Sequence, residues 1–85
     1  MTVRITVNGT ERIRRIRVEG RLSRDEVGEL DQLIGDDPRA VCLELSELRS
    51  ADAAGLAALR RLRARGVEMR GVPRHLAWRI EENEA

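Results

Sequence analysis

The chain has 85 residues, with 16 Lys or Arg against 15 Asp or Glu and a formal net charge of +1. That length holds one domain and buries only about 60–65% of the surface of the unfolded chain, so residues 1–85 are expected to form a single unit of modest stability. No run approaches the roughly 20 apolar residues of a membrane helix and no secretory leader is recognisable; the single cysteine, Cys42, excludes an internal disulfide and a CxxC pair. The expectation is a cytoplasmic protein that does not insert into a membrane.

Val3, Ile5 and Val7 alternate with Thr2, Arg4 and Thr6, the period-two pattern of a half-buried strand, and Asn8-Gly9 marks a turn; residues 1–10 are thus a first strand and its turn. A second strand is expected from Glu11 to Val18, but its apolar positions change parity between Ile13 and Ile16. A two-residue hairpin loop would set Thr10, Arg12 and Arg14 opposite the apolar residues, burying the wrong side chains. A three- or five-residue loop instead sets Ile13 against Ile5 or Val7. It then requires a bulge near Arg14-Arg15 so that Ile13, Ile16 and Val18 all face inward.

Ser23-Arg24-Asp25-Glu26 has the composition of a capping box and opens a helix over 23–34, with Val27, Leu30, Leu33 and Ile34 on one face. Gly35 and Pro38 end it. Ala40-Val41-Cys42-Leu43-Glu44-Leu45, nearly all apolar, reads as a central strand covered on both sides, with Cys42 as a small core residue. From Asp52 the pattern becomes helical through Leu56, Leu59 and Leu62, and Gly66 ends that helix. Residues 67–72 form a further short strand. Pro73 precedes a last helix with Leu76, Ala77 and Ile80 along one stripe, and residues 81–85 are expected to be a disordered tail. The order β-β-α-β-α-β-α is that of an α/β sandwich, a mixed sheet of about four strands with about three helices and parallel crossover connections.

Charge is banded along the chain: residues 1–24 carry seven Arg against two Glu, residues 25–52 two Arg against nine acids, and residues 53–85 seven Arg against four Glu. Such banding suits either solvated faces or the steering of an oppositely patterned protein partner. Asp52-Ala53-Ala54-Gly55-Leu56 places a helix N-terminus just after a central strand, where free amides and the helix dipole favour negative charge. Glycine costs about 1 kcal/mol relative to alanine within a helix, which close approach by another backbone would justify.

Leu43-Glu44-Leu45-Ser46-Glu47-Leu48 followed by Asp52-Ala53-Ala54-Gly55-Leu56 resembles the motif of the STAS domain family, a hydrophobic strand and Asp-Leu-Ser before Asp-Ser-Ser-Gly-Leu. Val18-Glu19-Gly20-Arg21-Leu22 is similar to the family's Gly-Glu-Leu-Asp segment, and Gly71-Val72-Pro73 to the segment after its fourth strand. The resemblance covers about residues 13–80 and implies a STAS-like sandwich acting as a non-enzymatic regulatory module. In anti-sigma factor antagonists of this family a kinase phosphorylates the serine after the motif aspartate, breaking their complex. Ala53 and Ala54 replace both motif serines, so no phosphorylation is expected there. The resemblance implies partner binding through Ser50, Asp52, Ala53, Ala54, Gly55 and Leu56. It implies as partner either an anti-sigma factor of the serine-kinase type or the ATPase of a lipid-type ABC transporter, which employs small STAS subunits. The sequence departs from the family at Glu44, and the usual final strand and helix are not recognisable, which would leave a sheet edge or helix groove open.

Other chemistry finds less support. His75 stands alone, Ser46 and Ser50 lack a nearby base, and no ligand cluster suggests a metal or cofactor. Arg12, Arg14, Arg15 and Arg17 could contact phosphates, which makes a nucleic-acid module the alternative from another class. The single aromatic residue, Trp78, offers no stacking platform for one. Trp78 either closes the edge of the core or anchors an interface, and a homodimer is compatible with all of this.

Overall fold

In the computed structural model, which describes residues 4–9 and 13–81, loop length resolves the parity conflict of the N-terminal hairpin. Strands β1 (Arg4–Gly9) and β2 (Arg14–Leu22) pair antiparallel in one unbroken register, from Arg4 opposite Glu19 to Gly9 opposite Arg14. The connection therefore spans residues 10–13. This even loop length sets odd positions of β1 against even positions of β2, so Ile5 faces Val18 and Val7 faces Ile16. The expected bulge at Arg14-Arg15 is not present. Ile16 and Val18 are fully buried, whereas Ile13 lies outside the ladder and is 45% exposed. An irregularity does occur farther along β2, between Gly20 and Arg21, where Gly20 takes a φ of 89°.

Helix α1 (Arg24–Ile34) opens at Ser23, whose backbone N–H donates to Glu26 Oε1 at 3.2 Å and whose hydroxyl donates to the same carboxylate. It closes at Gly35, and a 3-10 turn (Pro38–Ala40) leads into β3 (Val41–Glu44). Val41, Cys42 and Leu43 are all buried, as expected of a central strand, because β3 lies between β2 and β5 (Glu68–Arg70), parallel to both. A turn at Ser46-Glu47 separates β3 from β4 (Leu48–Ala51), which continues along β2 with Leu22 opposite Ala51. The sheet thus has five strands rather than about four, in the order β1-β2-β3-β5 with β4 against β2.

Helices α2 (Ala53–Ala64) and α3 (Arg74–Glu81) complete the chain order. Leu30 and Ile34 of α1, Leu56, Leu59 and Leu62 of α2, and Leu76 and Ile80 of α3 join Ile16, Val18, Leu43 and Leu45 in one core. Arg61 ties α2 to α1 by donating to both carboxylate oxygens of Asp31 at 2.8 Å. Trp78, two residues beyond Leu76, is turned away from that stripe and is 61% exposed. Helix α3 runs through Glu81, one residue into the expected tail; residues 82–85 lie outside the described ones. Among the described residues no helix is long and apolar enough to cross a membrane.

Candidate functional site

Two helices begin side by side because their strands do. Strands β2 and β4 run parallel, Leu22 pairs with Ala51, and each strand passes into its helix within two residues. The first turns of α1 and α2 therefore sit abreast at one end of the sheet. Between them lies an open groove of about 440 Å³, lined by Ser23, Arg24, Asp25, Asp52, Ala53 and Ala54.

Asp52 fastens this arrangement. Its Oδ1 accepts from the Gly55 N–H at 2.8 Å, capping α2, and its Oδ2 accepts from the Arg24 N–H at 3.1 Å, reaching the first turn of α1. Its own N–H donates to the Leu22 carbonyl at 3.1 Å, extending the β2–β4 pairing into the helix start. The Gly55 N–H, then the Arg24 N–H, hold the Asp52 carboxyl below its ordinary range, since both bonds favour the charged form. The groove thus carries the fixed negative charge of Asp52, with Arg24 and Asp25 also in its lining.

Gly55 is buried against the end of β2: a Cβ there would lie 2.5 Å from the Leu22 carbonyl oxygen and 3.2 Å from the Ala51 Cβ. Close backbone approach, the reason sought for a glycine in the first turn, is therefore supplied within the chain. Leu56 is 3% exposed. Gly55 and Leu56 are therefore buried beneath the surface that Ala53 and Ala54 present. Ala53 and Ser50 are exposed, while Asp52 and Ala54 are partly so. Ser50 belongs to β4, opposite Arg21. Ser23, Arg24 and Asp25 were not anticipated as groove residues; the parallel pairing of β2 with β4 was the missing signal.

The remaining candidates are dispersed. Arg12 lies outside the described residues. Arg14 is half-buried and donates to the Ile34 carbonyl at 3.0 Å, at the C-terminal end of α1. Arg15 and Arg17 project from one face of β2 beside Thr6 and Glu44, whereas Arg14 is directed to α1. His75 Nε2 lies 2.9 Å from the Arg49 carbonyl, and Ser46 packs near Gly71, whose φ is 66°. Cys42 is buried and its thiol pKa is raised, first by burial and then by Glu68, so it is not a ready nucleophile. Among the described residues no group of three or more His, Cys, Asp or Glu is placed to hold a metal ion.

Comparison with known proteins agrees with this geometry. No curated protein matches the chain. The crystal structure of an antisigma-factor antagonist, a STAS domain from Rhodobacter sphaeroides, superposes with a TM-score of 0.58 at 22% identity, covering 81% of this chain and 86% of that one. At that identity the likeness establishes the fold. The family model described as "Mlab, STAS domain" matches residues 5–81. With the strand-to-helix motif at Asp52 and the five-stranded sheet around it, the chain belongs to this STAS domain family.

Proposed function

We propose that residues 1–85 act as one non-enzymatic, cytoplasmic regulatory module that binds a protein partner at the groove between α1 and α2, free of phosphorylation control. The observation that carries this reading is Ala53. It is exposed at the first position of α2, on the lip of the groove, where the family motif has the serine that is phosphorylated. A methyl group replaces the hydroxyl, so the contact surface has one charge state. Ser50, Asp52, Ala53 and Ala54 form the contact edge from the β4–α2 side, and Ser23, Arg24 and Asp25 from the α1 side. Asp52 holds the two sides in register.

The family resemblance supplies two partner classes, an anti-sigma factor of the serine-kinase type and a transporter ATPase. Affinity capture with the full chain, followed by mass spectrometry, separates them. Ala53→Asp then tests the surface on whichever partner is returned. A carboxylate at the start of α2 gains about 0.3–1 kcal/mol from the helix dipole, offset by Asp52 and Asp25 nearby, so the melting temperature should stay level or rise slightly. The partner must desolvate an unpaired charge at a cost of about 1–3 kcal/mol, and affinity by calorimetry should fall about 5- to 150-fold. Unchanged affinity places the interface elsewhere.

A further inference from the structure

We propose that the free edge of β1 is a second docking surface, which takes an extended segment of a partner protein in which carboxylate and aliphatic side chains alternate. This goes beyond the groove reading, because β1 is the outermost strand of the β1-β2-β3-β5 path and pairs with β2 alone. Among the described residues nothing is paired with its other edge. An unpaired edge presents backbone donors and acceptors to an incoming strand, and its two faces then select alternate side chains of that strand.

The face toward the helices asks for aliphatic side chains. Ile5 is half-buried, and Val7 is 46% exposed although its cross-strand partner Ile16 is fully buried. The core thus ends one strand short of covering Val7, and a branched side chain on an added strand would lie beside it at the spacing of neighbouring strands. The opposite face asks for carboxylates. There β1 and β2 present Arg4, Arg15 and Arg17 against the single acid Glu19, which Arg4 approaches at 3.9 Å and Arg17 at 3.6 Å. Thr6 is small, and inboard of it Arg15 and Arg17 of β2 and Glu44 of β3 bound a space of about 180 Å³ on this face. A carboxylate opposite Thr6 would reach over it toward the Arg15 and Arg17 guanidinium groups, which outnumber Glu44 there. A second copy of this chain fits poorly, because pairing β1 with β1 brings two sets of Arg4, Arg15 and Arg17 together.

The isotope-labelled 85-residue chain is titrated with three synthetic peptides and followed by backbone amide shifts. One alternates Glu and Val, one alternates Lys and Val, and one is the Glu peptide N-methylated at alternate residues on its pairing edge. The Glu peptide is expected to move the amides of residues 4–9 with a Kd below about 1 mM. The Lys peptide and the N-methylated peptide should each bind at least about fivefold more weakly, through lost charge pairing and lost backbone bonds respectively. Arg15→Glu with Arg17→Glu, and separately Val7→Lys, should weaken the Glu peptide by a similar factor with the melting temperature unchanged. No binding in the millimolar range, equal binding of the Lys or N-methylated peptide, shifts centred on residues 23–25 and 52–54, or a dimer formed through β1 would each overturn the proposal.

Discussion

One missing methyl group at Gly55 lets α2 seat against the Leu22 carbonyl. Gly55→Ala pits a helix-propensity gain of about 1 kcal/mol against a contact with a backbone oxygen that has no room to retreat. Overpacking of this kind costs about 1–3 kcal/mol and occasionally more, so the contact dominates. The variant should melt lower, with each net kcal/mol worth about 4–8 °C for a domain of this size. Asp52 is the complementary residue, since its carboxylate satisfies amides of two helices. Its pKa is depressed in the fold, so its contribution is complete above the ordinary aspartate value of about 3.9 and is lost as pH falls through the lower folded value. Urea unfolding between about pH 2 and pH 7 should therefore show stability declining on the acid side. Asp52→Asn removes the Oδ2 acceptor for the Arg24 N–H. It should be less stable at neutral pH and show a flatter acid limb.

At the scale of elements, what was readable depended on whether the signal was local. Both long helices were legible from Ser23, Glu26, Gly35, Asp52 and Gly66, because caps and periodicity act within a few residues. β3 was legible because a strand buried on both faces must be apolar throughout. β4 was not: only Leu48 of its four residues is buried, and what makes Arg49-Ser50-Ala51 a strand is pairing with β2. The hairpin differs, since parity flags a conflict that its register resolves by leaving Ile13 outside the ladder. Its register has a direct mutational signature. Ile16→Ala should cost about 2–5 kcal/mol as a buried truncation, whereas Ile13→Ala should stay within about 0.5 kcal/mol as a largely surface change. Comparable losses at both positions by urea unfolding would restore the inward-facing Ile13.

For the whole molecule, the half of the groove carried by α2 was legible in a contiguous motif, while the half carried by α1 emerges only when parallel pairing sets Ser23, Arg24 and Asp25 beside Asp52. The charge bands acquire spatial meaning in the same way. Acidic α1 meets arginine-rich α2 through Asp31 and Arg61, while Arg15 and Arg17 of β2 lie beside Thr6 and Glu44. The groove lining sets Asp52 and Asp25 beside Arg24. In a family member with serine at the motif position, phosphorylation would add about 1.5–2 negative charges beside Asp52 and Asp25. This chain has no hydroxyl between residues 52 and 56. Of the flanking serines, Ser23 is engaged with Glu26 and Ser50 is exposed on β4. Incubation with a serine kinase of the anti-sigma type and ATP should leave residues 52–56 unmodified by mass spectrometry, and the partner complex should persist on a sizing column. Dissociation on ATP addition, with phosphate mapped to Ser50 and the effect abolished by Ser50→Ala, would mean that the control point has moved from the helix start to the adjacent strand.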